Sequence, residues 1–171
     1  MVFTFSTILF LLYFLFMRSD LREMLRKSHS KSFIKKQDKT NMQNKATQVG
    51  DVIISGTRGW ILPNDSEFSS DDQRIYDREL ARIDLCIADI KKLDPDHNLK
   101  WVLMMHYPPI TKTCLNNAMV TKITEAGIDL CVYGHLHALG HRLIVEDTVE
   151  NTEFKCIAAD YLKFEPLKLF D

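Results

Sequence analysis

Three histidines of this chain have a residue type and spacing suited to binding a metal ion. His135 and His137 flank a single leucine directly after the apolar run at residues 128–133, and His106 follows a second apolar run at residues 101–105. Because short apolar runs of this kind are typical of buried strands, we expect the imidazoles to converge at the carboxyl ends of neighbouring strands. Imidazole binds zinc, iron, nickel and copper, so the pattern predicts a metal site.

The residues around these histidines add two expectations about the local backbone. Alternation along an extended segment would place His135 and His137 on the same side, and Gly134 would allow a sharp turn or a positive φ. His97 and His141 do not follow an apolar run of the kind that precedes His106 and His135. We expect those two to be hydrogen-bonded groups at the surface.

The order of the motifs resembles that of the calcineurin-like metallophosphoesterases. Residues 105–109 (Met-His-Tyr-Pro-Pro), followed by residues 133–137 (Tyr-Gly-His-Leu-His), resemble the last two motifs of that family. Residues 56–60 (Gly-Thr-Arg-Gly-Trp) and 159–162 (Ala-Asp-Tyr-Leu) are similar, more narrowly, to a bacterial branch of predicted phosphohydrolases. The resemblance covers residues 48–171, roughly seven-tenths of the chain.

The resemblance implies a binuclear metal site that hydrolyses phosphate esters, with manganese, iron or zinc as the divalent ions. By resemblance, His106 and His135 would bind one ion and His137 the other. The family's remaining ligands come from Asp-x-His, Gly-Asp and Gly-Asn-His motifs in the first half of its fold. This sequence has no Asp-x-His and no Gly-Asn-His, and its one Gly-Asp, at residues 50–51, is typical of a turn before a strand.

The missing motifs limit the chemistry that the resemblance implies. A pair of metal ions needs a bridging carboxylate to offset their repulsion, whereas three neutral imidazoles can hold only one zinc-like ion in an open site. We therefore expect this chain to correspond to the second half of such an enzyme and to be inactive alone, unless a complementary polypeptide supplies the rest. The alternative is a non-catalytic product, a membrane-tethered metal-binding or interaction remnant of a disrupted gene.

Two further side chains are candidates for supporting roles. Arg58 lies between two glycines, where its guanidinium could bind a substrate phosphate through two hydrogen bonds, although loop arginines more often face solvent. Asp160 follows a predicted strand and could orient one of the metal-binding histidines through a hydrogen bond to its second ring nitrogen. Both assignments remain hypotheses at the level of the sequence.

The amino-terminal segment has a different character. Residues 1–17 contain no charge, glycine or proline, and they predict an apolar helix of the shortest length that spans a membrane. Basic residues follow directly, which would keep the C-terminal domain in the cytoplasm if the helix were an inner-membrane anchor. A second interpretation is a cytoplasmic chain whose apolar segment replaced the lost front half of a disrupted gene. A helix buried in the core and a secretory signal are the remaining alternatives.

Charge and cysteine usage narrow the classes of partner. Residues 18–47 are predicted to form a basic polar linker, since residues 18–45 carry nine Lys/Arg against three Asp/Glu while the whole chain has a net charge of -1. This stretch has one aromatic residue and no recognisable binding motif, so we do not expect a nucleic-acid partner. The four cysteines form no Cys-x-x-Cys pair and are predicted to be reduced thiols, mostly buried.

The apolar pattern of residues 48–171 predicts an α/β fold with a mixed β-sheet and flanking helices. The resemblance implies that this fold is part of a metallophosphoesterase sandwich. A strand, a helix and a parallel strand joined by connections of this length are expected to form successive crossovers. The predicted strands are residues 52–55, 101–105 and 128–133; the predicted helices are residues 69–94 and 117–126; residues 142–146 and 154–158 are predicted to pair as a hairpin.

Overall fold

A computed structural model describes residues 44–170. Residues 44–161 form one compact unit, here called the α/β unit, and residues 162–170 belong to a second unit. The predicted apolar helix at residues 1–17 and most of the linker at residues 18–47 lie outside the described residues. Across residues 44–170, every helix is too short or too polar to cross a membrane.

A mixed sheet of six strands forms the centre of the α/β unit, which confirms the predicted α/β class with a mixed sheet and helices. The strands lie in the order β1-β2-β3-β4-β6-β5. The four central strands β2, β3, β4 and β6 run parallel, and β1 and β5 pair antiparallel at the two edges. Their bounds are β1 Thr47–Val49, β2 Val52–Thr57, β3 Lys100–Met105, β4 Leu130–Tyr133, β5 Asp147–Val149 and β6 Thr152–Cys156.

Two helices connect the parallel strands, at the positions that the sequence predicts. Helix α1 (Ser70–Leu93) joins β2 to β3, and helix α2 (Ala118–Glu125) joins β3 to β4. Ser69 and Asp72 form a capping box at the start of α1, in which each side chain bonds the other residue's backbone amide. The Asn117 side chain caps α2 by accepting hydrogen bonds from two backbone amides of the first turn.

The core lies between the sheet and the two helices. Alternate side chains along the parallel strands meet one apolar stripe on each helix, and all of these residues are buried. Each such side chain contributes about 1.5–3 kcal/mol on leaving water, so this layer fixes the register of the strands. The central members are Ile53, Leu103, Cys131 and Phe154 from the sheet with Ile83, Ile90, Met119 and Ile123 from the helices.

The predicted hairpin is present, but its first strand was placed wrongly. Strand β5 pairs with β6, whereas residues 138–143 form a short 3₁₀-helix (Ala138–Leu143). The apolar residues after that helix look like a strand in the sequence, yet both backbone groups of Val145 bond a side chain instead of a neighbouring strand. The Tyr133 hydroxyl donates to the Val145 carbonyl at 2.6 Å and accepts from the Val145 amide at 2.9 Å.

A buried carboxylate at the end of α1 predicts sensitivity to acid. Burial alone would raise the pKa of Asp94, but hydrogen bonds from the Asn98 and Leu99 amides and the Trp101 indole lower it below its ordinary value of 3.8. Because the pKa is depressed by folding, Asp94 stabilises the fold above the unfolded-state pKa and loses that contribution as pH falls below it.

We therefore expect the free energy of unfolding to decrease below about pH 4 and to continue falling through the depressed pKa of Asp94. The variant Asp94→Asn should be less stable than the parent at pH 7 and should approach it in acid. Urea unfolding at a series of pH values measures both effects. A parent and a variant that differ by the same amount at every pH would contradict this expectation.

Candidate metal site

His106 and His135 lie together because their strands are adjacent and in register. Met105 at the end of β3 is aligned with Tyr133 at the end of β4, and the pairing continues one step further through the Gly134 amide, which donates to the His106 carbonyl at 3.2 Å. The His135 Nδ1 atom lies 3.1 Å from the His106 Nε2 atom. The predicted convergence at the carboxyl ends of neighbouring strands is confirmed for these two histidines.

The separation of the two nitrogens fits two kinds of bond. Two nitrogens that each lie 2.0–2.1 Å from one tetrahedral zinc ion are about 3.3 Å apart. An N–H donor and an imidazole acceptor also meet at about 3 Å, with one proton between them. The pair can therefore share one metal ion or one proton, and an ion would have to displace the proton.

Both rings favour their neutral state, which is the state that binds metal ions. Burial, reinforced by the charges of His135, His137 and Arg58, lowers the pKa of His106 to about 4. Burial and the neighbouring His137 also lower the pKa of His135. A metal ion binds a deprotonated ring nitrogen. Because both rings are already neutral at neutral pH, neither has to lose its positive charge before an ion binds.

The turn that carries His135 is strained. His135 has a φ of +70°, and the Leu136 amide donates to the Gly134 carbonyl at 2.8 Å, which closes a turn of three residues around His135. A non-glycine residue in this conformation costs on the order of 1–3 kcal/mol, and such strain concentrates at functional sites. The expected extended segment is therefore wrong, and the positive φ lies on His135 instead of Gly134.

Asp160 orients His137 from the loop after β6. Its Oδ1 atom lies 2.7 Å from His137 Nδ1, and its Oδ2 atom accepts from the Ala138 amide at 3.1 Å. These hydrogen bonds, first of all the one from His137, hold the pKa of Asp160 well below its usual range. Because Nδ1 of His137 is engaged by a carboxylate, Nε2 is the nitrogen left for a ligand, as in carboxylate–histidine pairs behind metal ions.

His137 is near the other two histidines without joining them. It is close enough for its charge to lower the pKa values of both His106 and His135. Within residues 44–170, however, no three or more His, Cys, Asp or Glu side chains are arranged so that they could hold a metal ion. Two nitrogen donors are thus in place, and a ligand role for His137 stays a prediction.

His141 is a member of this region that the sequence did not single out. Its Nε2 atom is buried and lies 3.1 Å from Asp160 Oδ2, so Asp160 contacts both His137 and His141. The His141 side chain is 30% exposed and pairs with Asp160, which agrees with the hydrogen-bonded surface group expected from the sequence. The signal was present in the sequence, because His137 and His141 are four residues apart, a spacing that brings two side chains to one face of a helical turn.

Aromatic packing connects the histidine pair to the loop of Arg58. The ring centroid of Tyr107 lies 4.1 Å from that of His135 and 5.2 Å from that of Trp60. The Tyr107 amide donates to the Arg58 carbonyl at 2.9 Å, and the Arg58 guanidinium carbon lies 4.3 Å above the Trp60 ring. Arg58 is exposed and borders the histidines, so the geometry leaves its predicted phosphate role open.

Comparison of the chain with protein-family models, with curated proteins and with solved structures gives no match. The α/β fold alone supports many unrelated activities and does not determine one. The features of this chain that bear on function are therefore the histidine pair, its surroundings and the order of the motifs.

Proposed function

We propose that this chain provides part of a metal-dependent phosphoesterase site, with His106 and His135 as ligands of a divalent ion and His137 as a further ligand. The observation that carries the proposal is the 3.1 Å separation between His106 Nε2 and His135 Nδ1 at the ends of two parallel strands. The positive φ of His135 agrees with it, because backbone strain of this kind is found at functional sites.

The chemistry expected of such a site divides between the ion and the protein. A bound divalent ion would act as a Lewis acid, polarising a phosphoryl oxygen and lowering the pKa of a water molecule. The protein contributes two neutral imidazoles, a histidine oriented by Asp160, and the Arg58 guanidinium beside them to bind phosphate oxygens. The substrate class is a phosphate ester.

The donor set explains why we expect no hydrolysis by the chain alone. The imidazoles carry no negative charge, and Asp160 is occupied by His137 and the Ala138 amide. A binuclear site needs an anionic bridge between its two ions, and the sequence lacks the motifs that supply it in the family it resembles. A complementary polypeptide that carries Asp-x-His, Gly-Asp and Gly-Asn-His motifs would provide those ligands.

A second candidate function is a metal-binding or interaction module without catalysis. The observation in its favour is that only two nitrogen donors are in position among the described residues. Such a module would bind an ion through His106 and His135 and would not hydrolyse phosphate esters in any mixture. Activity measurements on a reconstituted mixture separate the two candidates.

We expect the purified chain with manganese to release no p-nitrophenol from bis(p-nitrophenyl) phosphate above the buffer rate. We expect turnover when the chain is co-expressed with an amino-terminal half of a metallophosphoesterase that carries the three missing motifs. In that mixture, His135→Ala should remove activity because one of the two positioned nitrogens is lost. The control variant His97→Ala changes a histidine that lies beside Trp101 near the amino end of β3 and should keep activity.

Two results would contradict the proposal in different ways. Turnover by the chain alone that His135→Ala abolishes would mean that no second polypeptide is needed. Absence of turnover in a mixture that still binds manganese through His135 would favour the non-catalytic module.

A further inference from the structure

A cleft of about 250 Å³ lies beside the loop that follows β2, and arginine side chains dominate its walls. Three guanidinium-bearing residues, Arg58, Arg78 and Arg82, line it together with Ile75 and Glu79. The four helix residues have spacings of three and four along α1, so they form one stripe that faces the loop of Arg58. The cleft therefore joins two segments of the α/β unit that are distant in sequence.

Glu79 holds the elements of the cleft together through its carboxylate. Its side chain is completely buried, and its Oε2 atom accepts from the Thr57 hydroxyl at 2.7 Å and from the Gly59 amide at 3.0 Å. Its Oε1 atom pairs with Arg82. These bonds fix the loop on both sides of Arg58 and hold Arg82 against the helix, so the cleft is formed by anchored elements.

The charges in the cleft do not balance. Glu79 neutralises Arg82, whereas neither Arg58 nor Arg78 forms an ion pair within the part of the chain that the structure describes. Arg74, one turn earlier on the same helix, is by contrast paired with Asp71 outside the cleft. Two positive charges facing one small cavity repel each other, and an anion between them would remove that repulsion.

We propose that this cleft is a binding site for a phosphate-type oxyanion, held by the guanidinium groups of Arg58 and Arg78 with Arg82 oriented by Glu79. Guanidinium groups bind phosphate oxygens through paired, charge-assisted hydrogen bonds. The volume is below the range of about 300–1,000 Å³ that is usual for pockets of drug-sized ligands, so it suits a phosphate group better than a whole nucleotide.

The site is distinct from the histidine pair but borders it through Arg58. The Arg58 carbonyl accepts from the Tyr107 amide, and Tyr107 packs on His135. If the proposed phosphoesterase function also holds, the cleft would receive a second phosphate or the far phosphate of the substrate, and this extension rests on that function. Binding of the anion itself does not require a metal ion at His106 and His135.

The test is a titration of the full chain with inorganic phosphate. Binding is measured by isothermal titration calorimetry at constant ionic strength in the presence of EDTA. EDTA removes any metal ion, so the measurement reports on the cleft and not on the histidine pair. We expect a dissociation constant on the order of 1 mM or lower. Arg58→Gln and Arg78→Gln should each weaken binding by about tenfold or more, because each removes a charged donor.

Arg74→Gln is the matched control, since it removes the same charge from the same helix outside the cleft. It should leave phosphate binding within about twofold of the parent, because exposed charges outside the site are screened by salt. His106→Ala should also leave it unchanged, which separates this proposal from the metal site. The inference is overturned if the parent does not bind phosphate, if Arg78→Gln binds as the parent does, or if Arg74→Gln loses as much affinity as Arg78→Gln.

Discussion

Replacement of His106 or His135 by alanine is expected to weaken zinc binding by about 100-fold, which corresponds to about 2.7 kcal/mol. The reason is geometric, because among residues 44–170 these two ring nitrogens already lie at the separation of ligands of one ion. Affinity can be measured by competition with a zinc-binding dye in a buffer free of phosphate. Thermal unfolding of each variant without metal shows whether the fold is retained.

His97→Ala provides the matched control for this experiment. His97 is stacked on Trp101 and bonded to Asp129, and it is half-exposed, so its loss should leave zinc affinity within about twofold of the parent. Equal losses of affinity in His97→Ala and His135→Ala would mean that zinc binds nonspecifically to surface histidines. That outcome would contradict the assignment of the pair as metal ligands.

The second large effect is expected at Glu79. Glu79→Ala should lower the free energy of unfolding by about 3 kcal/mol, because it removes a buried carboxylate and leaves the Thr57 hydroxyl, the Gly59 amide and Arg82 without their acceptor. Glu79→Gln should cost about half as much, since an amide oxygen of the same shape can still accept one of these bonds. Urea unfolding monitored by circular dichroism measures both changes.

Glu125→Ala is a suitable control for Glu79→Ala. Glu125 is the last residue of α2 and is exposed, so its replacement should change stability by less than about 0.5 kcal/mol. If Glu79→Ala were no more destabilising than Glu125→Ala, the buried network around the loop of Arg58 would not contribute to the fold as described. The proposed anion cleft would then lose its structural support as well.

The sequence predicts the order of the elements because strong local signals mark their ends. Ser69 and Asp72 start α1, Asp94 ends it, and Asn117 and Gly127 bracket α2. These are caps and stops, which act within a few residues and can therefore be recognised without knowledge of the tertiary structure. The alternation of apolar strands with helices then predicts the parallel sheet.

The segment after β4 could not be predicted in the same way, because distant contacts determine it. Residues 142–146 are apolar enough for a strand, but the Tyr133 hydroxyl bonds both backbone groups of Val145. The positive φ of His135 likewise contradicts the usual preference for glycine at such positions, even though Gly134 is adjacent. Tertiary hydrogen bonds and local strain override residue propensity in both places.

The candidate site shows the same division between local and distant determinants. The meeting of His106 with His135 follows from two adjacent parallel strands, so it could be predicted from the ends of the apolar runs. The cleft of Arg58, Arg78 and Arg82 could not, because it depends on where one face of α1 lies relative to the loop after β2. No sequence motif predicts that this face of α1 lies against the loop after β2.

The most direct measurement of the central claim is the position of a bound ion in crystals of the chain grown with zinc, located by anomalous scattering at the zinc edge. We predict one strong peak within about 2.3 Å of both His106 Nε2 and His135 Nδ1, where the two imidazoles converge. A zinc ion bound elsewhere, or zinc-soaked crystals in which the two nitrogens remain joined by a proton with no ion between them, would contradict the claim.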